Sequence, residues 1–177
     1  IDNVAILYDK GKINAALVIV PNGIKRNWRN ELQVHMADHI SYRVGIWSSS
    51  PRKAEKEELD QLSVISDDLS ILIMNVEAFS TKKGYQFAYS FLLRNSALLC
   101  VDESTTIKNH NASRTKNILK LRQMAKYRRI MTGSPVTKSP LDLFSQLQFL
   151  DPWLLDQQSY YSFRARYAVV VQRNVGS

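Results

Sequence analysis

The sequence predicts an open α/β domain, a mostly parallel sheet with crossover helices on its faces. Three observations predict it. Five apolar runs of strand length recur along 177 residues, several of them apolar at every position, as strands covered on both faces require. Stretches with helical spacing separate these runs, giving a βαβ rhythm. The composition, 45% hydrophobic and 23% charged, is that of an ordinary globule of one domain's length.

The elements follow in chain order. Ala15 to Val20 (AALVIV) is the first strand, and Ile24 to Met36 the helix after it. Tyr42 to Trp47 is the second strand, followed by a charged helix from Pro51 to Leu62 whose Arg52 to Asp60 cluster reads as a solvated face with i,i+4 pairs. Ser70 to Met74 (SILIM) precedes a helix from Tyr85 to Arg94, and Ala97 to Val101 (ALLCV) precedes one from Ala112 to Ala125. In the latter, Ile118, Leu121 and Ala125 form the buried stripe, and Lys116, Lys120 and Arg122 occupy other faces. Arg129 to Thr132 is a fifth strand. The last helix runs from Pro140 to Leu150, with Ser139 as its cap, proline in its first turn and Asp151-Pro152 as its stop.

Charge is segregated along the chain. Between Ser104 and Leu141 lie nine Lys/Arg and no Asp or Glu, whereas the remaining residues carry 15 basic and 16 acidic side chains, so one segment holds the whole formal charge of +8. Segregation of this kind reads either as a surface for polyanions or as a solvated helix face. The single Cys100 excludes an intrachain disulfide and any cysteine-cluster metal site, which fits a reducing compartment. No apolar run approaches the roughly 20 residues of a membrane span, and His35, His39 and His110 have no metal-ligand spacing.

Chemistry concentrates where ALLCV runs into Asp102-Glu103. In open α/β sheets ligands bind outside the carboxyl ends of strands. Two adjacent carboxylates there point in different directions, so that one can hold Mg²⁺ while the other reaches an attacking water. From the dipeptide alone, a capped helix start or a turn is the simpler reading. A second short run ends in Thr132-Gly133-Ser134-Pro135, which by itself is merely a turn but, beside the acidic pair, places a Thr and a Ser to relay its state.

Four stretches in order then carry a resemblance: LVIVPNGIKRNWRNEL (Leu17 to Leu32), ILIMNVEAF (Ile71 to Phe79), LLCVDESTTIKNHNAS (Leu98 to Ser113) and RRIMTGSPVTKSPLDLFSQLQFLDP (Arg128 to Pro152). The chain resembles the first RecA-like lobe of superfamily II helicase-type ATPases, in their Swi/Snf-like double-stranded DNA translocase branch. The compactness and short spacers are similar to those of phage or bacterial members.

The resemblance implies roles. Asp102 would hold Mg²⁺ through water beside bound ATP, and Glu103 would orient or deprotonate the water that attacks the γ-phosphate. Thr132, Gly133, Ser134 and Pro135 would couple nucleotide state to DNA grip. Pro21, Asn22 and Lys25 lie in a segment that follows the DNA backbone in that family, together with Trp28 and Glu31 of its P-x-x-x-x-x-x-W-x-x-E pattern. Asn75, Lys108 and Asn109 match further DNA-proximal motifs. Read from the residues, Trp28 belongs to the core, Glu31 pairs locally, and Lys25 and Arg26 fit a plain helix face.

Two departures accompany the matches. The family's acidic box reads D-E-x-H, and here Asp102-Glu103-Ser104-Thr105 leaves the histidine's link to the coupling turn to Thr105 or to nothing. The phosphate loop G-x-x-x-x-G-K-[ST] is absent and would precede Ile1, with Ile1 to Tyr8 continuing the helix that it opens. The expectation is therefore an N-terminal lobe over residues 1–152 and the start of an inter-lobe or insert segment over 153–177. The partners implied are double-stranded DNA and the second RecA-like lobe of the same full-length chain, with no membrane, in the cytoplasm (the host's, if viral) or at the nucleoid. Two alternatives stay open: an inert DNA-binding or scaffold module of the same fold, and a Rossmann-like metabolite enzyme.

Overall fold

The computed structural model describes residues 1–157 and 159–169. Five parallel strands, β1 (Ala15–Val20), β2 (Tyr42–Ile46), β3 (Leu69–Asn75), β4 (Ala97–Asp102) and β5 (Tyr127–Met131), stand in the order β2-β3-β1-β4-β5. Among the described residues, seven α-helices accompany them: α1 (Asp2–Asp9), α2 (Lys25–His35), α3 (Lys53–Gln61), α4 (Lys82–Arg94), α5 (Ser113–Leu121), α6 (Leu143–Leu150) and α7 (Tyr160–Tyr167). The predicted open parallel sheet is present, and each crossover carries the helix expected of it.

β1 is the centre of the molecule, and all six of its residues are buried. Successive side chains point to opposite faces, so Ala15, Leu17 and Ile19 join Leu59, Phe79, Phe91, Ile118 and Phe149 under α3 to α6. Ala16, Val18 and Val20 join Val4, Leu32, Ile71 and Cys100 under α1 and α2. An apolar residue at every position is what a strand between two helical layers needs.

Most boundaries depart from the sequence reading by a residue or two. The helix expected over Ile1 to Tyr8 is α1. The helix expected to reach Ala125 instead ends at Leu121 in a 3-10 turn over Arg122–Met124, and Ala125 still enters the core. The strand expected over Arg129 to Thr132 is β5, which starts at Tyr127 and stops before Thr132. It lies at the sheet edge, only partly covered, and its Arg128 folds its guanidinium back onto the carbonyls of Leu150, Arg122 and Ala125 at 2.8, 3.1 and 3.1 Å.

The sequence reading holds no counterpart of α7. That helix is seated by aromatic contacts: Tyr160 stacks on His110 with ring centroids 3.6 Å apart, and Phe144 meets both Tyr160 and Phe163. Burial and the neighbouring Lys116 hold the His110 imidazolium below its ordinary pKa. Of the segment expected over 153–177, residues 158 and 170–177 lie outside the described residues. No helix among the described residues is long and apolar enough to cross a membrane.

Candidate functional site

Parallel register brings one end of each strand to a common edge. Val20 lies opposite Asn75, and Asp102 opposite Met131, so Pro21, Asn75, Asp102 and Thr132 line the carboxyl edge of the sheet. This is the edge at which open α/β sheets bind ligands.

At its middle, the Asp102 carboxylate is held from both sides. Oδ1 accepts the backbone N–H of Glu103 at 2.9 Å, and Oδ2 accepts the indole N–H of Trp28 at 2.8 Å. Trp28 therefore has two functions. Its ring packs against the core under α1 and α2, as the sequence predicts, while its N–H fixes the acidic residue. The pairing spans 74 positions and arises because β1, which leads into α2, is the neighbour of β4.

Glu103 occupies the left-handed region, φ 47° and ψ 58°, at the head of a 3-10 turn over Ser104–Ile107. For a residue with a Cβ this costs about 1–2 kcal/mol, and strain of this kind gathers at functional sites. The sharp turn leaves the Glu103 side chain exposed beyond the strand end while Ser104 turns inward and is fully buried. Asp102 is thus held at the strand end while Glu103 lies exposed beyond it, set apart by a left-handed residue rather than by the alternation of an extended strand that the sequence reading assumed.

Thr132, Gly133, Ser134 and Pro135, the residues expected to couple, form a turn closed on itself. Thr132 Oγ1 accepts the N–H of Ser134 at 3.2 Å, and Ser134 Oγ donates to the carbonyl of Val136 at 3.1 Å. A Cβ at Gly133 would meet nothing within 4 Å, so no internal crowding requires glycine there. Among the described residues, no side-chain hydrogen bond joins Thr105 to this turn. Contact between this region and the acidic loop runs from Ser104 to Gln146 and from Lys108 to Thr137 and Asp142.

The expected DNA-facing residues divide. Asn22 and Lys25 line a cleft of about 550 Å³ with Arg26, Arg29, Trp47 and Ser48. The Lys25 ammonium donates to the carbonyl of Trp47 at 3.3 Å, and burial pulls its pKa down against the opposing pull of Glu55 and Glu77. Arg29 closes the cleft floor with a two-point bond to Glu58 at 2.6 and 3.1 Å. Asn75 donates to Glu77 at 3.0 Å, and Asn109 accepts the N–H of Asn111 at 3.0 Å, so both amides shape their own loops. Lys108 carries an internal bond to Thr137 and lies 3.8 Å from Asp142. Its ammonium serves the fold, which a reading of charge along the sequence had no means of detecting. Glu31, expected to pair locally, meets His35 one helical turn on at 3.1 Å.

The donor set at Asp102 fits a magnesium ion held through water. Mg²⁺ keeps several waters and takes one or two carboxylates. Both Asp102 oxygens already accept one N–H each, and no group of three His, Cys, Asp or Glu side chains among the described residues could cage a metal directly.

Comparisons with known proteins identify the family. Residues 3–173 match the family described as the SNF2-related domain. A helicase-like transcription factor of Mus musculus is 27% identical over 139 residues, which cover 78% of this chain and 13% of that protein. An uncharacterized ATP-dependent helicase of Mycoplasma genitalium is 28% identical over 148 residues, 83% of this chain and 13% of that protein. A chromatin remodeling factor of Schizosaccharomyces pombe is 25% identical over 173 residues, 94% of this chain and 11% of that protein. The chain therefore spans 11 to 13% of the length of these relatives. The Sulfolobus solfataricus SWI2/SNF2 ATPase core, solved in complex with dsDNA, superposes with a TM-score of 0.66 at 22% identity, over 93% of this chain and 30% of that one. A Rossmann-like metabolite enzyme, which the α/β rhythm alone permitted, is displaced by a match that runs almost from end to end. Over residues 3–173, this chain belongs to the SNF2-related domain family.

Proposed function

We propose that the chain is the first motor lobe of a DNA-dependent ATPase that travels along duplex DNA, working in the full-length protein with a phosphate loop and a second lobe. The observation that carries this reading is the Asp102 carboxylate, oriented by Trp28 and by the Glu103 N–H at the carboxyl end of β4. ATP and Mg²⁺ are the cofactors, and duplex DNA and the second lobe are the partners. The cytoplasm or the nucleoid is the expected place of work.

Magnesium, when bound, would screen the phosphate charge of ATP. Asp102 contributes a carboxylate whose direction is set beforehand, so little reorganisation is needed as charge develops. Glu103, exposed beyond the turn, reaches out to accept a proton from the attacking water. Asn22 and Lys25 offer the cleft beside α2 to the DNA backbone, and N–H groups at the head of that helix favour phosphate.

The test is Glu103→Gln in the full-length protein. ATP binding is expected to persist while hydrolysis falls by at least about 100-fold, the scale of a lost proton-transfer group. Normal turnover in that variant removes the assignment. A wild-type protein that binds duplex and ATP without hydrolysis stimulated by DNA returns the chain to the inert-module reading, which the D-E-S-T departure favours.

A further inference from the structure

One buried amide joins the acidic loop to the coupling turn. Gln146, on α6, is fully buried, and its Oε1 accepts the hydroxyl hydrogen of Ser104 at 2.5 Å. Its Nε2 donates to the carbonyl of Pro135 and to that of Asp142, both at 2.8 Å. The oxygen and both N–H groups are thus engaged, and a buried amide in that condition has one orientation, since any rotation strands a polar group away from water.

The two ends of this bridge are the significant ones. Ser104 directly follows Glu103, whose left-handed backbone persists only where its surroundings over-determine it. Within its own turn, the Glu103 N–H bonds to Asp102 and the Glu103 carbonyl accepts the Thr106 N–H at 2.9 Å; from outside, the Ser104 hydroxyl is held by Gln146. At the far end, Pro135 closes the T-G-S-P turn. A shift of that turn therefore reaches Glu103 through a single side chain and one peptide unit.

A second strut runs parallel. The Lys108 ammonium bonds to the Thr137 hydroxyl, which in turn donates to Asp142 at 2.8 Å. Asp142 also accepts the N–H groups of Thr137 and Lys138, both at 2.9 Å. Acidic loop, coupling turn and the start of α6 form one hydrogen-bonded unit in which Gln146 is the central, fully buried member.

We infer that Gln146 is the positioning residue that couples the T-G-S-P turn to the Glu103 carboxylate, through Ser104, in the place of the acidic-box histidine that this chain lacks. The inference rests on the motor reading. Neither residue need touch nucleotide or DNA; Gln146 acts by holding Glu103 where the state of the turn dictates.

The experiment uses the full-length protein, with Ser104→Ala, Gln146→Met and the double variant. The quantity read is ATP turnover with saturating duplex divided by turnover without it, alongside the KM for ATP and the melting temperature. Each single variant is expected to lower that ratio about tenfold, within the usual range of coupling between sites. The double variant falls no further than Gln146→Met, because both lesions cut one path. Ser104→Ala leaves both Gln146 N–H bonds in place and so keeps the test open should Gln146→Met fold poorly. An unchanged ratio in Ser104→Ala overturns the inference, and so does a loss of turnover that is equal with and without duplex and follows the melting temperature. A wild-type protein lacking duplex-stimulated hydrolysis overturns the motor reading itself, and the coupling role with it.

Discussion

The indole nitrogen of Trp28 lies 2.8 Å from Oδ2 of Asp102, so a side chain on the helix after the first strand sets the direction of a carboxylate at the end of the fourth. Core packing of the ring and orientation of the acid are properties of one residue. Trp28→Phe separates them, because it keeps an aromatic ring against the core and removes only the donor. On the proposed function, Mg²⁺-dependent ATP turnover of the full-length variant should fall about 10- to 100-fold, as for other groups that orient a metal ligand. The folded state should lose only about 1 kcal/mol, the worth of one hydrogen bond. Unaltered turnover with the expected stability loss would leave Trp28 as core alone.

Acid should loosen the coupling turn before the sheet. Burial would push the Asp142 carboxyl up, yet the Lys138 N–H, the Thr137 hydroxyl and N–H and the Lys108 ammonium together bring it down to about 2 from 3.8. A depressed folded-state value means that this carboxylate stabilises the fold above its unfolded pKa, and that the contribution disappears as pH falls from about 4 towards about 2. Amide exchange or NMR shifts at Thr137 and Lys138 should report the change in that window, and Asp142→Asn should remove the titration. Shifts that persist unchanged in the variant would assign the transition to another group.

Gly84 gives a stability prediction of unusual sign. Alanine in a helix interior is ordinarily worth about 1 kcal/mol more than glycine. A Cβ at Gly84, however, would stand 2.2 Å from the carbonyl oxygen of Ala78, a backbone atom in a buried turn. Gly84→Ala is therefore expected to cost about 1–3 kcal/mol through overpacking, seen as a lower denaturation midpoint. A rise in the midpoint would contradict the close approach of α4 to that turn.

Salt dependence should separate cations that make no salt bridge among the described residues from structural ones. Neutralising Arg114 and Lys116 on α5 in the full-length protein is expected to flatten the plot of log affinity for duplex against log salt by about 2, near one unit for each phosphate no longer neutralised. Arg128 spends its guanidinium on three carbonyl oxygens, so Arg128→Gln should lower stability and leave the slope unchanged. Lys108, bonded to Thr137, should behave like Arg128 rather than as the DNA contact that the resemblance implied. A slope indifferent to Arg114 and Lys116 would make α5 an ordinary solvated helix.

These outcomes rest on features of unequal legibility in the sequence. β1 was readable residue for residue because a strand covered on both faces is apolar throughout, and no helix of six residues competes for that pattern. β5 was readable only in part. At a sheet edge its residues need not be apolar, and Tyr127 and Arg128 gave no strand signal. The place of Asp102 and Glu103 just beyond a buried strand was legible, and the family motifs reinforced it, but the left-handed backbone at Glu103 was not. Nor was Trp28 on Asp102, since the contact depends on which strands become neighbours. The link from Ser104 to Gln146 was hidden for the same reason, being 42 positions long and made by two uncharged residues to which the matched stretches gave no role. α7 was not read because its stripe of Tyr160, Phe163 and Tyr167 is only two turns long, and its place is decided by stacking on a histidine far away in the chain.

The left-handed backbone at Glu103 has a consequence for anyone who would engineer this chain. By backbone preference alone, glycine suits that position better than glutamate, and a search for thermostabilising substitutions would arrive there early. On the proposed function the same substitution removes the group that handles the attacking water. Selection for catalysis and selection for a robust fold therefore pull in opposite directions at this one residue, and variants recovered by heat alone should drift towards a sturdier, silent lobe.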